Sequence, residues 1–189
     1  SHRVVLTTEG MRFRKRAEEI ISMVDKTEAE FSAVKDSVSG DIYIGSGETM
    51  AMSRIADVAC RLRREYPGIR YHLHSGNSQD VTERLDKGLL DFGILIQPAD
   101  ISKYDCLELP DKDVWGVIMP KNSPLAAKEL IRRTDLLDVP LICSRQVISP
   151  NRFENGFARW FGDYFDRLDI VTTYNLMYNA AIMVRAGMG

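Results

Sequence analysis

Side chains that carry metal or redox chemistry are scarce here: three histidines and three cysteines in 189 residues. Cys60, Cys106 and Cys143 lie far apart, are odd in number and include no CxxC pair. A disulfide scaffold and a thiolate zinc site are both disfavoured. Excess charge of one sign is also lacking. Lysine and arginine total 25 against 27 acidic residues, a formal net charge of −2, which gives no chain-wide grip on DNA or on an anionic membrane. Apolar runs such as Ala180-Ala181-Ile182-Met183-Val184 stop far short of the roughly 20 residues a membrane span needs. No basic start leads into an apolar stretch, so a cytoplasmic protein is expected rather than an exported or membrane-bound one. GxSxG, HExxH and Walker motifs are missing, so no catalytic residue can be named; the expectation is a protein that is not an enzyme and holds no cofactor and no metal. What remains is 44% apolar and 28% charged. That is the balance of a folded domain, or two small ones at roughly 100–200 residues each, rather than of a disordered chain.

Residues 1–36 read differently from the rest. Arg3-Val4-Val5-Leu6 alternates like the last strand of a preceding module, and Thr7 or Thr8 offers a helix N-cap with Glu9 favourable behind it. Phe13, Ala17, Ile20, Val24, Thr27, Phe31 and Val34 then recur at intervals of 4, 3, 4, 3, 4 and 3. That heptad stripe fits a long helix, either amphipathic against its own domain or forming a seam with a second chain. Its regularity favours the seam, with Phe13, Ala17, Ile20, Val24 and Phe31 as dimerisation residues. Arg12, Arg14, Lys15 and Arg16 form the one dense basic cluster, suited either to DNA phosphate or to a solvated helix face. Ser37, Ser39 and Gly40 make a hinge.

Strands and helices alternate from there on. Ile42-Tyr43-Ile44 predicts a strand, residues 50–66 a helix stopped by Pro67-Gly68, and Ile69, Tyr71 and Leu73 a strand with a polar face at Arg70, His72 and His74. Val81, Leu85 and Leu89 predict a short helix, and Phe92-Gly93-Ile94-Leu95-Ile96 a buried strand. Such β-α-β-α-β order indicates a parallel sheet covered on both faces. Val114 to Met119 is read as a strand, Leu125 to Leu137 as a helix in two pieces, and Pro140 to Cys143 as a strand. Residues 151–167 follow as a helix with an aromatic face (Phe153, Phe157, Trp160, Phe161, Tyr164). Ile170 to Thr173 is then a strand, and Asn175 to Ala186 a helix capped at Gly187. The chain is expected to be a fragment at both ends.

Five segments together resemble the LysR-type transcriptional regulators. Val4 to Gly10 is similar to the passage from the winged helix-turn-helix into the linker helix, and Ser39 to Gly45 to the first regulatory strand. Leu62 to Ile69, Leu85 to Ile94 and Met183 to Gly189 resemble later family segments in the same order. The resemblance implies an α/β, two-lobed sensor of the periplasmic-binding-protein type II fold, preceded by a long linker helix, with the winged helix-turn-helix mostly absent. Expected boundaries are 1–10 for the tail of that module, 11–38 for the linker and hinge, 39–117 for lobe one and 118–189 for a truncated lobe two. It further implies a small-molecule effector, polar or anionic, in an interlobe cleft, DNA bound through the missing module, RNA polymerase as a further partner, and a homodimer or homotetramer. A solute-binding protein of the same fold is the alternative, and an enzyme on an α/β scaffold a third.

In such a fold strand ends converge on the cleft. Ser46, Gly47, Glu48 and Thr49 follow the first strand, Gly76, Asn77 and Ser78 the second, and Gln97 the third. Ser144 and Arg145, with Gln146 beside them, follow the strand at Cys143, and Asn175 the last strand. Backbone donors and hydroxyls there suit ligand contact, while helix caps and polar turns explain the same residues structurally. His72 and His74 share one strand face but find no third metal ligand, so a wet edge strand is expected, and Cys143 is expected to be a buried small hydrophobe.

Overall fold

A computed structural model describes residues 5–32, 38–97, 99–148 and 156–189. They fall into two compact units, one within Ser1–Ser46, Met52–His74 and Asp80–Ile94, the other within Gly47–Ala51, Ser75–Gln79 and Leu95–Gly189. Val34, Pro98, Phe153 and the hinge residue Ser37 lie outside the described residues.

The first unit opens with α1 (Thr8–Ser32), where Thr7 Oγ1 accepts the Gly10 N–H at 3.0 Å as the N-cap. β1 (Ser39–Ser46), α2 (Met52–Glu65), β2 (Gly68–Ser75), α3 (Ser78–Asp86) and β3 (Phe92–Ile94) follow as expected. The three-stranded sheet has the order β2-β1-β3. β1 and β3 run parallel, with Ile44 opposite Phe92, Gly45 opposite Gly93 and Ser46 opposite Ile94. The two paired glycines let α3 come close. A Cβ on Gly45 would stand 2.5 Å from Leu90 Cδ1 and 2.8 Å from Val81 Cγ1, and one on Gly93 2.7 Å from Leu85 Cδ1. Val81, Leu89, Leu90 and Ile44 are buried at this junction. On the edge strand, His72 Nε2 meets Asp41 Oδ1 at 2.8 Å and its ring stacks on Tyr43. His72 and then Arg70 hold the Asp41 carboxyl below its ordinary range.

The second unit carries β4 (Leu141–Ser144), α4 (Gly156–Phe161), β5 (Ile170–Tyr174) and α5 (Met177–Arg185). β4 and β5 pair in parallel, Cys143 opposite Thr173 and Ser144 opposite Tyr174. α5 ends at Gly187 (φ +84°), where Met188 N–H donates to Met183 O and Gly187 N–H to Val184 O, the paired bonds of a left-handed C-cap. Phe161 is fully buried, and Phe157 packs against Trp115, Phe161 and Phe165.

Three expectations are corrected. Val114 to Met119 forms no strand among the described residues: Val114 is 92% and Trp115 60% exposed. A run of β-formers needs a ladder neighbour to satisfy its backbone, and the Trp115 ring packs on Phe157 instead. The two helical pieces within 125–137 are 310 turns, Pro124–Ala127 and Arg133–Leu136, the first capped by Ser123 Oγ. The strand at 92–96 ends at Ile94, and Phe92 faces outward.

Candidate functional site

Three short peptides leave the carboxyl ends of β1, β2 and β3, and all of them (47–51, 75–79 and from Leu95) belong to the second unit. Hydrogen bonds show what gathers them. The Ser78 hydroxyl, on the first residue of α3, donates to Ile96 O at 3.2 Å and accepts the Gln146 amide at 2.6 Å. One side chain thus joins the peptides that follow β2, β3 and β4. Glu48 is anchored elsewhere in the same unit: its carboxylate accepts the Met177 N–H in the first turn of α5. A negative group at that position meets otherwise unsatisfied donors and the positive end of the helix dipole. Burial, with Cys143 and Glu48 adding to it, pushes the Tyr174 hydroxyl up, so it stays protonated beside this carboxylate.

The remaining expected residues divide by what their atoms do. Thr49 Oγ1 accepts Ala51 N–H at 3.1 Å, Gln97 Oε1 accepts Ala99 N–H at 3.3 Å and Asn175 Oδ1 accepts Leu176 N–H at 3.0 Å. These are local turns, the structural alternative the sequence left open. Ser144 Oγ accepts Gln146 N–H at 3.4 Å, and Arg145 gives its own N–H to Tyr174 O at 2.8 Å while its side chain is exposed. Gly47 lies close to the Ile96 side chain and to Gly76, which is buried. Asn77 is half-buried in the same unit. Ser46 is buried at the end of β1, in the first unit.

Gln146, expected beside Ser144 and Arg145 at this strand end, has the side chain that reaches Ser78. In the turn after β4, burial alternates from Ser144 to an exposed Arg145 and back to Gln146. The alternation puts Gln146, two residues past Ser144, on the same side as Ser144.

Residues 35–189 match the family model described as the LysR substrate binding domain. The chain belongs to the LysR substrate-binding domain family. It is 28% identical over 188 residues to the HTH-type transcriptional regulator YvbU of Bacillus subtilis (strain 168), covering 98% of this chain and 61% of that one. HinK, a LysR family transcriptional regulator from Pseudomonas aeruginosa, is similar at a TM-score of 0.50 and 23% identity, covering 98% and 64%. Full-length CbnR, solved with its target DNA, is similar at a TM-score of 0.58 and 14% identity, covering 98% and 65%; both likenesses show the fold alone. This LysR domain thus spans less than two thirds of the length of YvbU.

Cys143 sits in the LysR domain as the buried small hydrophobe expected from its strand. Burial pushes its thiol up to about 11, so little thiolate exists at neutral pH. Cys60 and Cys106 are exposed. At pH 8 in native buffer, a thiol-reactive dye is expected to titrate two groups rapidly and the third only after unfolding. Three rapid equivalents would overturn the assignment. Among the described residues, no three His, Cys, Asp or Glu side chains gather to hold a metal ion, and no helix is long and apolar enough to cross a membrane.

The heptad stripe lies open on α1. Phe13 is 76%, Ile20 64%, Val24 49% and Phe31 86% exposed, with Ala17 half-buried. The neighbouring stripe of Glu19, Met23 and Lys26 is the one that packs on the first unit.

Proposed function

We propose that this chain is the linker and effector-sensing part of a LysR-type transcriptional regulator, acting in the cytoplasm by binding and not by catalysis. Residues 1–10 are read as the tail of a DNA-binding module, 11–38 as the linker helix with its hinge, and the sensor begins at Ser39. DNA contact comes through the preceding module, with RNA polymerase as a downstream partner. The effector is a small polar or anionic metabolite received where Ser78, Gln146, Thr49, Asn77, Ser144 and Arg145 supply hydroxyl, amide and guanidinium donors. The observation that carries this reading is the Gln146–Ser78–Ile96 chain, which gathers three strand-end peptides at one place in one unit. An effector there biases one conformation, and that bias changes the geometry of the dimer or tetramer on DNA.

A thermal-shift screen of metabolites tests the reading. A true effector stabilises the folded state by mass action, by about 2.7 kcal/mol at a hundredfold excess over Kd. Its shift is expected to fall sharply in Gln146→Leu and in Ser78→Ala. Equal shifts in the parent and both variants would move the site elsewhere, and shifts given only by apolar compounds would overturn the effector class.

A further inference from the structure

An aromatic run in the second unit reaches solvent at both ends. The Phe157 ring lies 5.5 Å from that of Trp115 and 4.9 Å from that of Phe161, and Trp160 lies 4.7 Å from Phe161, centre to centre. Phe161 is fully buried, while Trp160 is 47% exposed. The sequence has two tryptophans, and both therefore stand at the surface of this one run. An indole seated on a packed aromatic base is a large apolar face held ready for a partner, with an N–H at its edge.

Two guanidinium groups are held beside Trp160. Arg133 Cζ lies 5.2 Å and Arg167 Cζ 5.5 Å from the centre of the Tyr164 ring. Arg133 Nη1 also donates to Trp160 O at 3.3 Å, in the last turn of α4. Between α4 and the 310 helix Gly162–Arg167 the chain bends at Gly162 (φ +57°), a left-handed residue whose added Cβ would stand 3.9 Å from Arg133 Nη1. That bend carries Tyr164 back beneath Arg133. Elsewhere several cations are neutralised by carboxylates: Lys26 by Asp91 at 2.6 Å, Lys87 by Glu19 at 3.0 Å and Lys128 by Asp135 at 2.6 Å. Arg133 and Arg167 are both exposed, and among the described residues neither pairs with a carboxylate. The tyrosine ring orders them instead, and a guanidinium over a ring keeps N–H groups at its edge open to an acceptor.

We propose that Trp160, Tyr164, Arg133 and Arg167 form a docking face for an acidic segment of another protein, one that sets an apolar side chain beside two or more carboxylates. Carboxylates take the open guanidinium edges, and the apolar side chain covers the indole. Tryptophan, tyrosine and arginine are the residues that dominate binding energy at protein interfaces. Arg159, exposed on α4 next to Trp160 in sequence, adds a third cation. A nucleic acid fits less well. Asp163 and Asp166 lie on the same 310 helix as Arg167, and the chain carries a net charge of −2, so a continuous run of phosphates meets repulsion that a short segment with spaced carboxylates escapes. The face lies wholly within the second unit and shares no residue with the Ser78–Gln146 site, so it stands whether or not that site receives an effector.

Tryptophan emission of the 189-residue chain reads this face without a label, because the sequence has no tryptophan besides Trp115 and Trp160. The probe is a synthetic peptide of glutamates and leucines spaced by serines, titrated at low salt. It is expected to change the emission saturably, and to do so still in Trp115→Phe, where Trp160 is the sole reporter. Arg133→Gln combined with Arg167→Gln is expected to weaken binding about tenfold or more. Arg167→Gln alone, which spares the Arg133 bond to Trp160 O, is expected to weaken it severalfold. Arg63→Gln, at an exposed arginine of the first unit, is expected to bind as the parent does. Peptides with lysine for glutamate, or serine for leucine, are expected to bind at least about tenfold more weakly. No response to the acidic peptide, a response lost in Trp115→Phe, or one untouched by the double arginine variant would each overturn the docking face. Tighter binding of a DNA oligonucleotide than of the peptide would overturn the partner class. A double arginine variant that sediments as a smaller species than the parent would assign the face to a second copy of this chain, and overturn the proposal as well.

Discussion

Replacing Ile20 and Val24 together by aspartate is expected to leave the chain monomeric where the parent sediments as a dimer or larger. Both side chains lie open on α1, in register with Phe13 and Phe31, and neither belongs to the stripe that packs on the first unit. The substitutions therefore spare the fold of the single chain. Burying a Phe, Ile or Val is worth roughly 1.5–3 kcal/mol, and a carboxylate in the seam meets its counterpart across a two-fold axis with no partner. Two lost anchors and two uncompensated charges exceed what an ordinary micromolar dimer has to spare, about 8 kcal/mol. Velocity sedimentation at several concentrations reads the outcome directly. An unchanged oligomer in the double mutant would remove the seam from the assembly.

Adding one methyl group at Gly45 is expected to destabilise the protein by about 1–3 kcal/mol. The backbone conformation of Gly45 is not the obstacle; its neighbours are. The new Cβ would stand within 2.8 Å of both Leu90 and Val81, and Val81 is fully buried with a branched side chain that has nowhere to turn. For a protein of this size the melting temperature should fall by about 2–4 °C per kcal/mol. Gly116→Ala supplies the control, since nothing lies within 4 Å of its new methyl. Equal melting curves for the two variants would show that α3 yields at Gly45 and that the wedge is soft.

Much of the fold was legible because it rests on local signals. Pro67-Gly68, Gly88 and Gly187 mark real element boundaries, and the 4-3 spacing of α1 survives as an open stripe. The failures share a cause. Val114 to Met119 has the composition of a strand, but pairing is a property of two segments and only one was in view. Lys26 and Asp91 are separated by 65 residues, and Gln146 and Ser78 by 68. No periodicity connects such partners. The candidate site was legible only as a set of strand ends, since topology alone dictates where those fall. Which atom in each loop does the joining was not, because an amide and a hydroxyl at 2.6 Å look the same in sequence as two solvated side chains.

Glu48 on the first turn of α5 has a consequence for what this domain ignores. The Met177 N–H is already served by an acceptor that the chain itself carries. A tethered group competes at an effective concentration set by the geometry of its loop, of millimolar order for short connections, and not at its bulk concentration. A free anion reaching for that N–H must outbid a rival that never diffuses away. Background acetate, phosphate or chloride therefore meets a threshold rather than an empty seat, and the height of that threshold is written into the three residues between β1 and Met50.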